Sequence, residues 1–310
     1  MSIKNNFILK YLADTAKKII VKVNPEWEIN RCYSKVFNGK KPNLNNPKNL
    51  IEKIYWMELN CDTTLWTKCA DKYLMREFVE ECGYGEYLPK LYAKWDKADD
   101  IDFTNLPKEF VLKANDGCGT VYIVKDKDKE DINKVRKMVK QWMRLPHFGY
   151  MNAQLHYIPI KSCIIAEELL HQSDELNKIS PKSIVDFKVW CFAGKVESIL
   201  ITYNRSKHNL SIALYDNEWN DIGNNISTEC HYTYDKNNGI LKPECFEKMK
   251  EIASGLSKPF PEVRVDFYII DNKPIIGELT LSTGYGYFTE EYYEYLGGKT
   301  DITMCKKKYK

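Results

Sequence analysis

The sequence lacks the patterns that mark zinc-binding, disulfide-stabilised and membrane-spanning proteins. It has 10 cysteines but no Cys-x-x-Cys pair, and its 5 histidines show no metal-ligand spacing. No apolar run approaches the roughly 18 residues that a membrane-spanning helix needs. The N-terminus has neither the apolar core nor the cleavage site of a signal peptide. We therefore expect a soluble protein of the reducing cytoplasm, with its cysteines as free thiols.

An excess of charge of one sign is also absent. Lys and Arg together number 46 and Asp and Glu 43, so the formal net charge is +3. Such a balance argues against a dedicated nucleic-acid-binding protein. The chain has no phosphate loop ending in Gly-Lys-Ser/Thr, no dinucleotide-binding glycine fingerprint and no Ser-His-Asp signature. Its 310 residues suffice for one large domain or for two to three smaller ones.

The first predicted element is a basic helix over Ile3–Val23, where apolar residues recur at helical spacing until Asn24-Pro25 ends the run. The helix could lie on an anionic membrane surface. Alternatively, it packs its apolar stripe on the protein and leaves its lysines in solvent. The turn-rich segment 31–46 is predicted to be a loop.

Two further helices are predicted before the first strand. Residues 49–60 form one, and residues 67–83 form the other, which Gly83 ends. In the second of these helices Lys72 and Arg76 are four residues apart, so they are free to point the same way. A short strand, KLYAKW, follows.

The run EFVLKANDGCGTVYIVKDK predicts a strand, a glycine-containing loop and a second strand. Lys113 projects from the first strand directly before the loop. Gly117 and Gly119 let the backbone turn with positive φ and present N–H groups to an anion. The pattern is consistent with phosphate binding. A plain hairpin turn, with glycines where its geometry needs them, explains the same residues without a ligand.

The middle of the chain is predicted to contain a basic amphipathic helix over 130–145 and three strands. The strand KSCIIAEELL ends in two glutamates, Glu167 and Glu168. The run IVDFKVWCFAGKVESILITYNR supplies two more strands. Alternation places Asp186 and Lys188 on one face of the first of these.

Toward the C-terminus, residues 204–239 are predicted to form a polar loop, which together with segment 31–46 could shape a substrate pocket. Pro243 opens a helix with a clear apolar stripe. The tail CKKKYK is basic and is predicted to be disordered. Its lysines could add to those of the N-terminal helix in a peripheral attachment to a membrane.

The stretch 263–286, VRVDFYIIDNKPIIGELTLSTGYG, predicts a β-hairpin. A three-residue loop, Asp-Asn-Lys, sets Asp266 opposite Glu278 and Arg264 opposite Thr280, with Cβ atoms roughly 4.5–5.5 Å apart. Two carboxylates at that distance repel unless a cation lies between them, and oxygen ligands suit Mg²⁺ that holds a phosphate. A two-residue loop would put the carboxylates on opposite faces. The alternative is a surface hairpin that carries both acids by chance.

In their order along the chain, these stretches resemble the ATP-grasp fold, and more narrowly the TupA-like ATP-grasp proteins of bacterial surface-polysaccharide and teichuronopeptide gene clusters. The resemblance covers roughly residues 31 to 298 and rests on CADKYLMREFV, LPKEFVLKANDGCGTVYIVKDK, IIAEELL, DFKVWCFAGK and FPEVRVDFYIIDNKPIIGELT. It implies an α+β architecture in which two lobes with antiparallel sheets clamp ATP. The implied divisions are an N-terminal amphipathic helix (1–30), a helical/α+β region (31–105), a small lobe with the glycine loop (106–165), a large lobe with the metal site (166–300) and a basic tail (301–310).

The resemblance also implies roles for individual residues. The phosphate-binding lysines match Lys72 and Lys113, and the flexible loop over the phosphates matches Gly117, Cys118, Gly119 and Thr120. The segment that reads adenine through backbone groups matches Glu167, Glu168, Leu169 and Leu170. The residue facing the ribose matches Asp186, with Lys188 on the same face in reach of phosphate. Arg264 matches the residue that steadies the transferred phosphoryl group, and Asp266 and Glu278 match the Mg²⁺ carboxylates. Thr280 stands where ATP-grasp ligases commonly have Asn, and its hydroxyl, which reaches less far than an amide oxygen, could still bind Mg²⁺ or hold a water molecule of the metal.

The implied activity is that of an ATP-dependent carboxylate–amine ligase, with Mg²⁺ and ATP as cofactors and ADP and phosphate as products. Its expected substrates are a glycan or lipid-linked glycan with a uronic acid or similar carboxylate, and a small amine or amino acid. Three alternatives remain: a kinase that phosphorylates a glycan hydroxyl, a glycosyltransferase, and a non-catalytic binding module of capsular polysaccharide and cell-envelope assembly. No convincing Asp-x-Asp nucleotide-sugar motif supports the glycosyltransferase.

Overall fold

The computed structural model describes residues 3–144, 148–206, 209–229, 232–236, 239–283 and 286–308. The chain divides into two compact units whose segments alternate along the sequence. The first unit comprises Met1–Pro42, Thr63–Leu74 and Lys90–Leu169, and the second comprises Asn43–Asp62, Met75–Pro89 and Leu170–Lys310.

Helices and two separate sheets confirm the predicted α+β class. The helices are α1 (Ile3–Val23), α2 (Pro25–Val36), α3 (Leu50–Asn60), α4 (Thr64–Ala70), α5 (Met75–Glu81), α6 (Ile132–Arg144), α7 (Phe148–Asn152), α8 (Asp174–Ile179), α9 (Phe246–Ser257) and α10 (Glu290–Lys299). The strands are β1 (Leu91–Trp95), β2 (Phe110–Ala114), β3 (Val121–Val124), β4 (Ile164–Glu167), β5 (Asp186–Phe192), β6 (Lys195–Tyr203), β7 (Ser211–Asp216), β8 (Thr233–Tyr234), β9 (Val263–Ile270) and β10 (Lys273–Thr280).

The first unit is built on an antiparallel sheet with the strand order β1-β4-β2-β3. Its core joins Phe110 and Leu112 of β2 to Val135 and Val139 of α6. Because side chains alternate along a strand, Lys113 projects from the sheet face opposite to this core. The lysine that precedes the glycine loop is therefore not part of this core.

Helix α2 replaces part of the loop predicted over 31–46. The Asn24 side chain accepts a hydrogen bond from the backbone N–H of Trp27, and Pro25 takes the first helical position, where its missing N–H costs nothing. The dipeptide that ends α1 thus starts the next helix.

The helix predicted over 67–83 is wrong as a single helix, because the chain leaves the helical path after Ala70 and resumes it at Met75. The Asp71 carboxylate accepts hydrogen bonds from the backbone N–H groups of Tyr73 and Leu74, at 2.8 and 3.2 Å. Such local bonds compete with helix formation. Lys72 consequently lies in the break between α4 and α5, whereas Arg76 lies in α5 and donates to the Pro89 carbonyl oxygen at 2.8 Å.

The second unit is built on a sheet with the order β10-β9-β5-β6-β7-β8, in which only the short β7–β8 pair is parallel. Helix α9 packs against β5, β6 and β9. Alternating residues of β5 and β9, among them Phe187, Val189, Val265 and Phe267, are fully buried. The intervening residues of the same strands carry the charged groups described below.

The polar loop predicted over 204–239 is also wrong in part, because it contains β7. Ile212, Ala213 and Leu214 of this strand are fully buried. The strand is only six residues long and is flanked by polar residues, so its apolar pattern was too short to predict it.

The C-terminal region is ordered as far as Lys308, contrary to the predicted disorder of the tail; Tyr309 and Lys310 lie outside the described residues. Segment 305–308 pairs with the end of α3, where Asp62 N–H donates to the Lys306 carbonyl at 2.8 Å and Lys308 N–H donates to Asn60 at 3.0 Å. Helix α10, which the sequence reasoning missed, packs on α3. Among the described residues, no helix is long and apolar enough to span a membrane.

Candidate active site

The hairpin of β9 and β10 has a shorter loop than predicted. Only Asp271 and Asn272 connect the strands, with φ angles of 48° and 57°, and positive φ at both central positions is typical of a type I′ turn. Lys273 therefore lies opposite Ile270. The three-residue loop of the sequence prediction is wrong.

A β-bulge at Gly277 nevertheless restores the predicted pairing. The register shifts just before Glu278, so that Asp266 lies opposite Glu278 and Arg264 opposite Thr280. The bulge compensates for the short loop, because each changes the alternation by one residue. The predicted cross-strand pairs are confirmed, for a reason that the sequence reasoning did not find.

Gly277 also leaves room for the ring of Tyr268. A Cβ atom at position 277 would lie 2.9 Å from a ring carbon of Tyr268 and 3.4 Å from the Asp266 carbonyl oxygen. A side chain there would therefore displace the ring. Burial, and the nearby carboxylates of Asp186, Glu278 and Asp266, raise the pKa of the Tyr268 hydroxyl well above its ordinary value.

Lys188 forms ion pairs with two aspartates, and the side chains of this group are largely buried. Its Nζ lies 2.5 Å from Oδ2 of Asp186 and 2.5 Å from Oδ2 of Asp266, which is its cross-strand partner. The Lys188 side chain is 7% exposed and that of Asp266 is 3% exposed. Burial acts to lower the pKa of Lys188, but the two aspartates outweigh it and raise that pKa. The lysine is therefore held as a cation.

Arg264 binds the same aspartate in a bidentate manner. Its Nε donates to Oδ1 of Asp266 at 2.6 Å and its Nη2 to Oδ2 at 2.7 Å. The same Nη2 lies 3.1 Å from Thr280 Oγ1 and 3.5 Å from Glu278 Oε1. The guanidinium stacks over the Trp190 ring at 5.3 Å from its centre. These contacts fix the orientation of Arg264 on the sheet.

Both oxygens of Asp266 thus accept hydrogen bonds from cationic groups. Burial raises the pKa of Asp266, while Arg264 and Lys188 act in the opposite direction. By contrast, Oδ1 of Asp186 is buried and has no hydrogen-bond partner within the described part of the chain. Asp186 Oδ1 is therefore the acceptor of this cluster that could bind a ligand.

The ligand types at the hairpin fit Mg²⁺. Asp266, Glu278 and Thr280 offer only oxygen atoms, which this hard cation prefers, and the Glu278 side chain is 37% exposed. Within the described residues, no group of three or more His, Cys, Asp or Glu side chains is arranged to hold a metal ion. The bonds of Asp266 to Lys188 and Arg264 are consistent with that finding.

The first unit brings together the two predicted phosphate-binding lysines and the glycine loop. Lys113 Nζ forms an ion pair with Glu167 Oε2 of the adjacent strand β4 at 2.7 Å. Lys72 Nζ donates to the Gly117 carbonyl at 2.9 Å, and its backbone N–H donates to the Asn115 carbonyl at 3.1 Å. The break between α4 and α5 is what directs Lys72 to this loop.

The glycine loop is fixed at its base and open at its tip. Asn115 is buried, and its Oδ1 accepts a hydrogen bond from the Cys163 N–H at 2.7 Å. Cys118 is exposed, and Gly119 has a φ of 77° with no atom within 4 Å of its Cβ direction. Thr120 Oγ1 is buried and makes no hydrogen bond to any described residue. Such a loop can present backbone groups to an anion.

The segment predicted to read adenine is only partly available for that role. The Glu168 backbone N–H donates to the Lys90 carbonyl at 2.9 Å, and Glu168 Oε2 accepts from the Lys90 N–H at 3.2 Å. Leu169 and Leu170 make no backbone hydrogen bond to another described residue. The Glu168 N–H is therefore already bonded, whereas the backbone groups of the two leucines make no such bond within the described chain.

The predicted site residues form two groups, one in each unit. The first unit contains Lys72, Lys113, Gly117, Cys118, Gly119, Thr120, Glu167, Glu168 and Leu169, and the second contains Leu170, Asp186, Lys188, Arg264, Asp266, Glu278 and Thr280. The sequence reasoning gave no role to Asn115, Trp190 or Tyr268. Strand alternation places Trp190 on the face of Lys188 and Tyr268 on the face of Asp266, but alternation alone gives neither residue a role.

Comparison with known proteins identifies one extended similarity in sequence. The profile of the TupA-like ATPgrasp family matches residues 52–300, which is most of the chain. No curated protein sequence matches the chain.

Solved structures with a similar fold include several ligases at low sequence identity. D-alanine–D-alanine ligase from Bacillus anthracis with ATP is 16% identical over 79% of this chain and 67% of its own, with a TM-score of 0.49. L-amino acid ligase from Bacillus licheniformis is 15% identical over 71% of this chain and 44% of its own, with a TM-score of 0.43. D-alanine–D-alanine ligase from Helicobacter pylori is 12% identical over 81% of this chain and 66% of its own, with a TM-score of 0.42. The chain thus spans 44% to 67% of the length of these structures, and the likeness concerns the fold alone.

Proposed function

Because the chain belongs to the TupA-like ATP-grasp family of ATP-consuming ligases, we propose that it joins a carboxylate to an amine through an acyl phosphate. A carboxylate oxygen is a poor leaving group, and phosphorylation makes it a good one. The products of ATP are then ADP and phosphate. No side chain has to act as a covalent nucleophile, in keeping with the absence of a Ser-His-Asp signature from the sequence.

The observation that carries this proposal is the buried cluster around Asp266. A carboxylate that binds Arg264 in a bidentate manner and Lys188 at 2.5 Å, with Glu278 opposite it on the next strand, is a concentrated set of charges in the second unit. Strongly perturbed, partly buried titratable groups of this kind cluster at functional sites. A purely structural role would be served equally well by apolar residues of similar size.

Asp266, Glu278 and Thr280 would hold Mg²⁺ in this cluster. When bound, Mg²⁺ would neutralise phosphate charge and polarise the transferred phosphoryl group. The Thr280 side chain is shorter than the Asn common in ATP-grasp ligases. We therefore expect its hydroxyl to bind the metal less directly than an amide oxygen would.

The remaining groups bind and orient the reactants. Lys188 and Arg264 supply fixed positive charge beside the carboxylates, and Arg264 would steady the transferred phosphoryl group. In the first unit, Lys72 and Lys113 would bind nucleotide phosphates, with the loop 117–120 presenting backbone N–H groups. Asp186 Oδ1, which has no hydrogen-bond partner among the described residues, would accept a hydrogen bond from a ribose hydroxyl.

For the substrates, we propose a uronic acid or similar carboxylate of a bacterial surface glycan and a small amine such as an amino acid. The resemblance of the sequence to proteins of surface-polysaccharide gene clusters supports this part. The test is to incubate the protein with Mg-ATP, candidate amino acids and glycan extract and to weigh the products. We expect a glycan whose mass increases by one amino acid less one water. A glycan that gains a phosphoryl group instead would favour a kinase, and turnover with neither product would contradict the substrate proposal.

A further inference from the structure

The second unit contains a pair of thiols that the proposed reaction does not use. Cys61 lies directly after α3, and Cys305 follows the short 3-10 turn Ile302–Met304. Neither forms a disulfide, and the two side chains interact with each other. Two cysteines that are 244 positions apart in sequence are therefore neighbours in the fold.

Backbone pairing holds these two thiols together. Cys61 and Lys307 form an antiparallel bridge, and two backbone hydrogen bonds flank it, from Asp62 to Lys306 and from Lys308 to Asn60. Lys308 Nζ also donates to the Glu58 carbonyl at 2.7 Å. The backbone therefore holds the two segments that carry these cysteines side by side.

The two thiols differ in their surroundings. The hydrogen bond from Cys305, together with the charges of Lys308 and Lys307, lowers the pKa of Cys61 against the opposing effect of burial. The hydrogen bond to Cys61 and burial raise the pKa of Cys305. The thiolate is the reactive form of cysteine, and neighbouring lysines favour it. Lys307 and Lys308 therefore favour the thiolate of Cys61.

We propose that Cys61 and Cys305 are a modification site, at which hydrogen peroxide converts the thiol pair to a reversible disulfide that ties segment 305–308 to the end of α3. Cys61 is 1% exposed, which favours an oxidant as small as hydrogen peroxide over a bulky disulfide. The modification belongs to this unit of the chain and is independent of the ligase reaction.

The reaction proceeds in two balanced steps. The Cys61 thiolate attacks one peroxide oxygen, the O–O bond breaks, and the departing hydroxide takes up a proton to give water and a sulfenic acid on Cys61. The Cys305 sulfur then attacks the Cys61 sulfur, the S–O bond breaks, and hydroxide leaves with the Cys305 proton as water. Both sulfurs are oxidised, and one peroxide is reduced to two waters.

The disulfide would add a covalent link where only non-covalent contacts hold the C-terminal segment. Lys53 of α3 also binds the end of α10: its Nζ donates to the carbonyl oxygens of Gly297 and Thr300, at 2.7 and 2.8 Å. A cross-link that closes a long loop restricts the unfolded chain. Oxidation should therefore raise the thermal unfolding midpoint.

The test uses the reduced full-length chain, treated with hydrogen peroxide, alkylated and digested with trypsin. Mass spectrometry should show peptide 54–68 joined to peptide 300–306, with the mass of both less two hydrogens, and dithiothreitol should separate them. Cys305→Ser should lose this product and leave Cys61 as a sulfenic acid that dimedone traps. The matched control Cys82→Ser should form the cross-link as the unaltered chain does.

The unfolding midpoint provides a second readout that needs no variant. It should rise on oxidation of the unaltered chain and fall back after reduction. The proposal is overturned if peroxide oxidises the exposed Cys118 while Cys61 and Cys305 stay unlinked. Linkage of either cysteine to another partner, or a cross-link that leaves the midpoint unchanged, would equally contradict it.

Discussion

In the Asp266 cluster two cationic residues, Lys188 and Arg264, face three carboxylates, those of Asp186, Asp266 and Glu278. Both oxygens of Asp266 accept hydrogen bonds from Lys188 and Arg264, so a metal that binds this carboxylate shares it with two cationic groups. Glu278 is different, because its side chain is 37% exposed. Substitutions at the two carboxylates should therefore have different effects on stability.

Glu278→Gln should abolish ATP turnover and leave the unfolding midpoint unchanged. The substitution removes one anionic ligand but no deeply buried ion pair. ADP release at saturating Mg²⁺ measures the effect, and Glu291→Gln, an exposed carboxylate of α10, is the matched control. Turnover of Glu278→Gln at the rate of the unaltered chain would refute the metal role.

Asp266→Asn should lose both turnover and stability. Removing one partner of a buried ion pair typically costs about 3–5 kcal/mol, because the other charge is left uncompensated. Urea unfolding should show the loss, and Lys188→Met in the same chain should restore part of the stability without restoring turnover. A variant as stable as the unaltered chain would mean that Lys188 and Arg264 do not depend on Asp266.

Glu262 should make the protein less stable as the pH rises. It is fully buried, neither carboxylate oxygen has a hydrogen-bond partner among the described residues, and burial raises its pKa well above 4.5, although Arg264 opposes this. Stability from such a group is present below about pH 4.5 and is lost as the pH rises through the folded-state pKa. Relative to the unaltered chain, Glu262→Gln should gain stability from pH 5 to pH 8 in urea unfolding. A difference that does not change with pH would contradict this expectation, and Glu291→Gln is again the control.

At the scale of elements, the β9–β10 hairpin shows what the sequence could and could not predict. The strands follow from β-branched and aromatic runs, and the facing carboxylates follow from alternation. The prediction made the loop one residue too long and missed the bulge at Gly277. These two errors cancel in the register. Neither is visible in the apolar pattern, because the type I′ turn and the bulge depend on backbone dihedral angles rather than on hydrophobicity.

The break between α4 and α5 is the other instructive case. Helical periodicity continues through residues 67–83, yet the carboxylate of Asp71 bonds to the backbone two and three positions ahead. Tertiary contacts decide the competition, since Lys72 is held by the loop residues Asn115 and Gly117. Lys72 therefore lies beside the glycine loop in a break between two helices, and not on a helix as predicted.

Gly277→Ala should destabilise the hairpin and slow turnover, because its Cβ would lie 2.9 Å from the Tyr268 ring. Overpacking of this kind costs about 1–3 kcal/mol. Tyr268→Leu in the same chain should relieve the clash, and a double-mutant cycle measures the coupling. Gly298→Ala is the control, since no atom lies within 4 Å of its Cβ direction. Additive effects at positions 277 and 268 would contradict the packing argument.

Lys113→Ala should weaken nucleotide binding more than Lys125→Ala. Lys113 lies on β2 beside the loop and is paired with Glu167, whereas Lys125 follows β3. Binding isotherms with Mg-ATP measure the difference, and protease protection of loop 115–120 by ATP is an independent readout. Equal affinities of the two variants, without protection of the loop, would argue against phosphate binding there.

At the scale of the whole molecule, α1 supports the hypothesis of peripheral membrane attachment. It exposes Leu12, Ile19 and Val23, at 58%, 60% and 82%, next to lysines that an anionic surface attracts by about 1 kcal/mol each. Ile19→Gln with Val23→Gln should reduce sedimentation with anionic liposomes and leave stability unchanged. High salt should reduce binding as well. Equal partitioning of the variant and the unaltered chain would mean that α1 merely faces solvent.

The acyl-phosphate reaction is tested most directly with a candidate uronic acid whose carboxylate carries ¹⁸O. We predict that ATP is converted to ADP, that release of phosphate depends on the carboxylate, and that one labelled oxygen appears in that phosphate. Hydroxylamine should trap the activated acyl group as a hydroxamate. A phosphoryl group retained on a sugar hydroxyl, with no label in phosphate, would contradict the ligase account, and AMP as the nucleotide product would contradict transfer of the γ-phosphoryl group altogether.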